Sequence, residues 1–452
     1  MKTVFHNFMI IAKTFLQKIY ITIQLYTGKG VANHAAACAY AFLLSMAPML
    51  LLIAFFILYA FESSPGAITA MIGTIPFLGT LFIEEWLSMD LFAFSKLGLP
   101  SVIFTLSIIW AVRILAMTMQ RGLKIVFPAA RKRNPLKNTL ITISIAISVT
   151  IFLLVIIISS RTALRFYRIL DFYPHIWIFQ FITSLRGSRI SYITLLGIGS
   201  YFVYLLVPVN PPRKFSAFQG ALLCSIAYFC TVLILGIILN IARYNFLYGT
   251  LGNLIIILIN VYVFFTFFFV GALYAFVTDS FDALLFIRIR QNRSKAAEKK
   301  RIKGSPGIIH FPVHSALIKM NMESPSDLLY RFLYPSEKNL KKYLRTYNEN
   351  DIILTPGNTM EDIFYLLEGE AEILISSSNG SENSAGILKP DSFFGDMDYL
   401  FSEDKHVTIR ANTNVKALYL PPTLFDSILK YDTNLDKDII DKMFHRLRNI
   451  SV

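Results

Sequence analysis

The stretch YNFLYGTLGNLIIILINVYVFFTFFFVGALYAFVT, residues 244–278, decides the fold class because it holds no charged residue over its whole length. A helix crosses the hydrocarbon core with roughly 20 mostly apolar residues, so this run predicts a transmembrane helix at about 253–277. The chain of 452 residues is 55% hydrophobic and only 16% charged, whereas soluble domains carry about 25% charged residues. The composition therefore excludes a purely soluble enzyme and an intrinsically disordered chain.

Further apolar runs of similar length stand upstream of this stretch. They predict additional transmembrane helices at about 36–61, 99–119, 138–160, 190–210 and 216–240. The predicted fold class for residues 1–287 is thus an α-helical polytopic membrane domain with six transmembrane helices. We expect the lipid bilayer to be its partner.

The charge distribution predicts the orientation of these helices. Residues 1–287 hold 20 Lys and Arg against 7 Asp and Glu, and most of the basic residues lie in alternate loops. The positive-inside rule then places both termini in the cytoplasm of a multi-pass inner-membrane protein. One loop, 161–189, disagrees, because it carries five Arg against a single Asp and should lie outside. Since topology accounts for the positive charge, we expect no nucleic-acid partner.

Four segments of the membrane half resemble a known family in order and spacing. They are AAACAYAFLLSMAP (35–48), LLVPVNPPRKFSAFQGALL (205–223), YGTLGNL (248–254) and FFVGALYAF (268–276). They resemble the YihY/BrkB family, which implies a six-helix protein of the bacterial inner membrane over about residues 10–280. Leu273 departs from the pattern, because the family often has an acid at this position.

The YihY/BrkB family once carried a ribonuclease label, which the sequence does not favour. Two-metal phosphodiester chemistry needs clustered carboxylates. The seven acids of residues 1–287 all lie outside the predicted spans. We therefore expect no nuclease activity, no enzymatic activity of another kind, no catalytic residue and no metal site.

Polar groups inside the predicted spans are the candidate membrane site. Arg113 is the only charge within a span; it either lines a polar cavity or a lipid-headgroup site, or snorkels to the cytoplasmic end. A second cluster, whose alternative role is helix kinking and packing, comprises Tyr40, Ser45 and Pro48. The remaining candidates, whose alternative role is interhelical hydrogen bonding, are Gln219, Tyr248 and Asn253.

The last third of the chain has a different character. The basic linker 288–312 leads into residues 313–452, where no apolar run is long enough to span a membrane. A helix is predicted at 324–345, and period-two alternation predicts strands at 351–355, 362–369, 371–376, 407–411 and 415–420. Asn-Gly within 377–384 predicts a hairpin, and helices are predicted at 422–430 and 434–449. The predicted fold class of this cytoplasmic half is a β-roll with flanking helices.

This half resembles cyclic nucleotide-binding domains over about 324–449, chiefly through LKPDSFFGDMDYLFSEDKHVTIRA (388–411). The resemblance implies a phosphate-binding cassette in which a glycine and a glutamate begin a helix and an arginine follows after nine residues. The positions that match this cassette are Gly395, Asp396, Lys405 and His406. The glutamate would accept from the ribose hydroxyl, and the arginine would pair with the cyclic phosphate.

The spacing of the cassette is kept but its chemistry is altered. Asp396 is one methylene shorter than glutamate, and Lys405 lacks the guanidinium fork. The site is therefore interpreted as degenerate, with three alternatives: a cyclic nucleotide, a different small ligand, or no ligand and a role in self-association or partner contact. No other cofactor is expected. The expected function is a transporter or lipid-handling protein regulated or assembled through this domain; the alternative is a membrane-tethered scaffold without transport activity.

Overall fold

The structure is a computed structural model, and it describes the chain in segments. These are residues 2–45, 99–128, 134, 139–144, 185–238, 250–303, 337–355, 363–376, 382–396, 407–432 and 435. The chain divides into two compact units. One unit is Ile21–Asp279, and the other joins Met1–Tyr20 to Ser280–Val452.

Helices account for almost all the described residues up to position 303. In chain order they are α1 (Lys2–Gly28), α2 (Val31–Ser45), α3 (Leu99–Val126), α4 (Leu185–Leu206), α5 (Lys214–Ile238), α6 (Thr250–Asp279) and α7 (Phe281–Lys303). Within the described ranges, the helices long and apolar enough to cross a membrane are Lys214–Leu235 and Ile257–Asp279. They coincide with the predicted spans 216–240 and 253–277.

Two of the other predicted spans, 99–119 and 190–210, lie within the described residues, and the remaining two are described only in part. Helices α3 and α4 overlap 99–119 and 190–210, and α2 covers the start of 36–61. Residues 139–144 are helical, but the rest of 138–160 lies outside the described residues. The count of six transmembrane helices thus stays a prediction.

Close approach of three helices forms the core of the unit Ile21–Asp279. A Cβ built on Gly271 of α6 would lie 2.6 Å from the carbonyl oxygen of Gly220 on α5. The hydroxyl of Tyr204 on α4 donates to the carbonyl oxygen of Phe268, 2.6 Å away. Small residues let membrane helices come this close, which maximises van der Waals contact where no hydrophobic force acts between helices.

The other unit contains two antiparallel sheets. Its elements after α7 are a 3₁₀ helix (Glu337–Tyr343), β1 (Leu344–Tyr347), β2 (Ile352–Leu354), β3 (Ile363–Glu368), β4 (Ala371–Ser376), β5 (Glu382–Leu388), β6 (Phe393–Phe394), β7 (Val407–Ala411), β8 (Val415–Leu420) and α8 (Pro422–Tyr431). The strand orders are β1-β8-β3-β6 and β2-β7-β4-β5. Buried side chains of both sheets, including Phe364, Phe394 and Ile409, share one core.

This architecture agrees with the predicted β-roll and corrects two details. The prediction of a helix over 324–345 is wrong at its C-terminal end, where a 3₁₀ helix is followed by β1. Strand β1 forms because Leu344–Tyr347 pairs along its length with β8, a tertiary partner that local propensity does not reveal. The basic linker expected at 288–312 is helical in its first part, since α7 extends through Lys303.

Candidate functional site

The described part of the cassette is held by aromatic packing. Strand β6, Phe393–Phe394, pairs with β3, and the rings of Phe394 and Phe364 stack at 5.2 Å between centroids. Gly395 follows with φ +75°, a left-handed conformation that glycine adopts without the strain of a Cβ. Asp396 comes next and is only 4% exposed. The structure therefore brings together the predicted site residues Gly395 and Asp396, whereas Lys405 and His406 lie outside the described residues.

A turn anchored by Asp391 precedes the cassette. Asp391 has φ +68°, and its N–H donates to the carbonyl oxygen of Leu366 at 2.8 Å. The hydroxyl of Tyr365 donates to Oδ1 of Asp391 at 2.9 Å. Burial raises the pKa of Tyr365, and the Asp391 carboxylate adds to the shift, so the phenol remains a proton donor. The turn is thus fixed to β3 by main-chain and side-chain bonds.

Helix α7 contacts the same turn from the other side. The Arg293 guanidinium donates through Nε to Oδ1 of Asp391 at 2.8 Å and through Nη2 to the carbonyl oxygen of Leu367 at 2.6 Å. The ring of Phe286 lies 5.0 Å from Tyr365 and 6.1 Å from Phe393 between centroids. These contacts place α7 directly against the strand that carries the cassette. The sequence did not predict them, because the basic cluster signalled only topology.

The first turns of α7 are also held to the roll. Ser280, just before the helix, donates to the hydroxyl oxygen of Tyr431 at 3.1 Å. Arg290 pairs with Asp432 at 3.3 Å, where the Asp432 side chain is 6% exposed. Arg290 and Arg293 therefore have structural roles, in contrast to the solvated face that a basic cluster usually forms.

Asp282 adds a third attachment for α7. Its carboxylate accepts from the hydroxyl of Tyr343 at 2.8 Å and from Nζ of Lys342 at 2.7 Å. Burial, together with this neighbouring carboxylate, raises the pKa of Tyr343, so the phenol keeps its proton. The helix is thus bonded to α8, to the 3₁₀ helix and to β3.

The candidates in the membrane half are less closely associated. Ser45 is buried and donates to the carbonyl oxygen of Phe42 at 3.0 Å, whereas Tyr40 on the same helix is 64% exposed. Arg113 is exposed on α3. Pro48 and Tyr248 lie outside the described residues, as does the side chain of Asn253. The described contacts thus do not join Tyr40 and Ser45 into one site.

Gln219 is the membrane candidate with a structural signal of its own. It is half-buried on α5, and its Oε1 has no hydrogen-bond partner among the described residues. It immediately precedes Gly220, the point of closest approach to α6. In the same described part of the chain, no group of three or more His, Cys, Asp or Glu side chains could hold a metal ion.

Comparison with known families assigns both halves. A family model described as Virulence factor BrkB matches residues 22–291, more than half of the chain. The chain belongs to the BrkB family. This is a membrane protein family, and the match covers α2 to α6. Leu273 is fully buried in this BrkB protein. A second model, described as Cyclic nucleotide-binding domain, matches residues 344–432, from β1 to α8.

Two curated proteins are similar to part of this BrkB protein. The potassium channel GORK of Arabidopsis thaliana is 29% identical over 80 residues, 18% of this chain and 10% of the channel. The cAMP-activated global transcriptional regulator Vfr of Pseudomonas aeruginosa is 25% identical over 123 residues, 25% of this chain and 58% of the regulator. The chain thus spans a tenth of the length of the potassium channel and somewhat more than half of the length of the transcriptional regulator.

Two solved structures of regulators are also similar. A transcriptional regulator from Thermotoga maritima is 24% identical with a TM-score of 0.23, covering 26% of this chain and 92% of that one. The catabolite activator protein of Thermus thermophilus is 16% identical with a TM-score of 0.24, covering 29% of this chain and 58% of that one.

Proposed function

We propose that this BrkB protein is a bacterial inner-membrane protein, with both termini in the cytoplasm, that moves a small solute or a lipid under the control of its cytoplasmic roll. The observation that carries the proposal is the attachment of α7 to the roll beside the cassette. Helix α7 begins two residues after Asp279, the last residue of the candidate span Ile257–Asp279. The segment that leaves the membrane is thus the one that contacts the sensor-like strand.

The cassette suits a small anionic ligand of the cyclic nucleotide class, bound weakly. The resemblance to cyclic nucleotide-binding domains implies a helix that starts at Gly395 and Asp396, and N–H groups at a helix start favour an anion. The side chain of Asp396 is shorter than that of glutamate. Lys405 offers a single point charge in place of the planar guanidinium of an arginine. Losing a charge-assisted contact costs about 1.5–3 kcal/mol, so two altered anchors lower affinity strongly. Assembly of copies through the roll is the alternative role of the same domain.

Control would pass through packed side chains. A ligand that moves the Phe393–Asp396 segment must displace Phe286, because the rings of Phe286 and Phe393 are in contact. It must also strain the Arg293–Asp391 pair. Close-packed interiors transmit such shifts instead of absorbing them. A ligand that binds one position of the segment better than another then shifts the population of α7 positions.

A membrane-tethered scaffold is the second candidate. The tight contacts of Gly220 with Gly271 and of Tyr204 with Phe268 favour it, since they describe helices packed without space between them. A transport path would instead require polar, water-accessible surface, for which Arg113 and Gln219 are the candidate residues. The two functions are separated by measuring transport directly.

The test uses the purified full chain in proteoliposomes. Ion flux and lipid scrambling are measured with and without cyclic AMP and cyclic GMP, for the unmodified protein, Arg293→Ala and the control Lys416→Ala. We expect activity that responds to nucleotide in the unmodified protein and in Lys416→Ala, because the Lys416–Glu368 pair is about half exposed and does not involve α7. Arg293→Ala should lose the response.

Absence of flux and scrambling in every variant would favour the scaffold. If activity is present, Arg113→Leu and Arg113→Lys distinguish the roles of this residue. A polar cavity requires the charge, so only the leucine variant should lose activity at equal amounts of inserted protein. Equal wild-type activity of both variants would remove Arg113 from the site.

A further inference from the structure

One face of α3 carries a row of exposed basic side chains. Arg113, Arg121 and Lys124 are all exposed, and at 100° per residue they fall within an arc of about 80°. These three residues form what we call the basic row. Leu115 and Met119, on the other side of the helix, are 2% and 5% exposed. The basic row is therefore the outward face of α3.

Two contacts show beside which part of α6 the basic row lies. A Cβ built on Gly122 would meet the ring of Phe269. Phe127, directly after α3, lies edge-on to Phe276 with 6.2 Å between ring centroids. Both partners advance along the chain together, so α3 runs parallel to α6. Phe269 stands ten residues, about 15 Å, before Asp279, the last residue of the candidate span.

The basic row thus stands beside the candidate span of α6 and not beyond its end. Arg121 and Lys124 flank Gly122 closely in the helix, so they lie near the level of Phe269. Arg113 is nine residues before Gly122, about 14 Å further from the end of the span. Charged side chains at such levels of a bilayer are costly unless water or an opposite charge accompanies them.

Carboxylates that would neutralise the basic row are scarce in this unit. Asp279 is the single acidic residue among the described residues of the unit Ile21–Asp279. Its Oδ1 accepts from the backbone N–H of Arg213 at 3.1 Å and lies 3.6 Å from the Nε of the same residue. The ion pairs between described residues do not involve the basic row. The described part of the unit therefore supplies the row with no anion.

An apolar border adjoins the basic row. The hydroxyl of Thr142 donates to Oε1 of Gln120 at 3.1 Å, which holds a short helical segment against α3 beside the row. This bond leaves Nε2 of Gln120 as a donor without a partner among the described residues. Leu140 and Ile143 of the same segment are 65% and 48% exposed. The surface thus offers cations and apolar contact side by side.

We propose that the basic row and its apolar border bind an anionic phospholipid. Guanidinium and ammonium groups suit the phosphate of the headgroup in charge and in hydrogen bonding. The exposed side chains of Leu140 and Ile143 suit an acyl chain of the same molecule. This site deepens the proposed function, on which its part in transport rests, because it gives a lipid headgroup as the ligand of Arg113. Binding is measured without transport, so the two are tested separately.

Native mass spectrometry of the purified full chain in detergent tests the proposal. Phosphatidylglycerol is titrated against the unmodified protein and against Arg113→Gln, Arg121→Gln and Lys124→Gln. Binding of radiolabelled inorganic phosphate by the same proteins is measured by equilibrium dialysis. The matched control is Lys214→Gln, which removes an exposed charge at the start of α5, next to the residue that pairs with Asp279.

Each glutamine variant of the basic row should weaken phosphatidylglycerol binding by about tenfold or more, since it removes one charge-assisted contact. Lys214→Gln should bind as the unmodified protein does. Arg121→Lys keeps the charge and should bind more tightly than Arg121→Gln, which a merely unfolded variant would not explain.

Equal affinity of the row variants and Lys214→Gln would overturn the proposal. Binding of inorganic phosphate that depends on the basic row, without binding of phosphatidylglycerol, would replace the lipid by a soluble anion. Binding of phosphatidylglycerol that depends on the row while flux and scrambling are absent would support the lipid site and contradict transport.

Discussion

Arg293 and Asp391 form an ion pair in which Nε and Oδ1 lie 2.8 Å apart, although the two residues are 98 positions apart in the chain. Asp391 also accepts from the Tyr365 hydroxyl and stands five residues before the buried Asp396. The pair therefore joins the helix that follows the last candidate span to the turn that leads into the cassette.

Arg293→Ala should destabilise the unit that joins Met1–Tyr20 to Ser280–Val452. The variant leaves the Leu367 carbonyl and the Asp391 carboxylate without their charged donor, and such bonds contribute about 1.5–3 kcal/mol. The free energy of unfolding is measured by urea titration. Lys416→Ala is the matched control and should cost less than about 1 kcal/mol, since exposed pairs contribute little. Equal losses in the two variants would contradict a structural role for Arg293.

The domain boundary gives a second prediction. A fragment of residues 313–452, the extent that the sequence predicts, lacks α7 and exposes the surface that Phe286 covers on Tyr365 and Phe393. Deleting a buried phenylalanine side chain costs about 3–5 kcal/mol. The fragment 280–452 should therefore unfold cooperatively at a clearly higher urea concentration than 313–452. Coincident unfolding curves would show that α7 does not stabilise the roll.

Helix packing in the unit Ile21–Asp279 gives a third prediction. Gly271→Ala places a Cβ 2.6 Å from the Gly220 carbonyl oxygen and 2.8 Å from the Tyr204 hydroxyl oxygen. Overpacking of this kind costs about 1–3 kcal/mol, so the Tm of the full chain in detergent should fall. Gly28→Ala is the control, because a Cβ there meets nothing within 4 Å. An unchanged Tm for Gly271→Ala would mean that the helices separate easily.

The affinity for cyclic nucleotides gives a fourth prediction. Titration calorimetry of the 280–452 fragment with cyclic AMP and cyclic GMP should show a Kd no tighter than roughly 10 μM, equivalent to about −7 kcal/mol. The triple variant Asp396→Glu, Lys405→Arg and His406→Ser restores the chemistry of the family and should bind more tightly. Submicromolar binding by the unmodified unit would show that the site is not degenerate. No binding by the triple variant would leave assembly as the role of the roll.

Individual strands and site residues show how much of the structure local sequence patterns predict. Strands β7 and β8 have the bounds that alternation predicts, 407–411 and 415–420, because their apolar side chains alternate into one core. Strand β6, with only two residues, has too short a pattern to be recognised. Within the candidate site, Gly395 and Asp396 were found through the spacing of the cassette. Asp391 and Tyr365 were not, since their pairing joins residues 26 positions apart and depends on the folded chain.

The sequence by itself determined that a helical half with long apolar runs precedes a half with β-strands, because the length of an apolar run and the period of a strand are local properties. Only the tertiary structure decided that the basic segment after Asp279 is a helix, and that this helix is bonded to the β-strands that follow it. Those outcomes depend on contacts such as Arg293 with Asp391 and Phe286 with Tyr365. Such pairs join residues that are distant in the sequence and share no local pattern. They stabilise the structure only once the chain is folded.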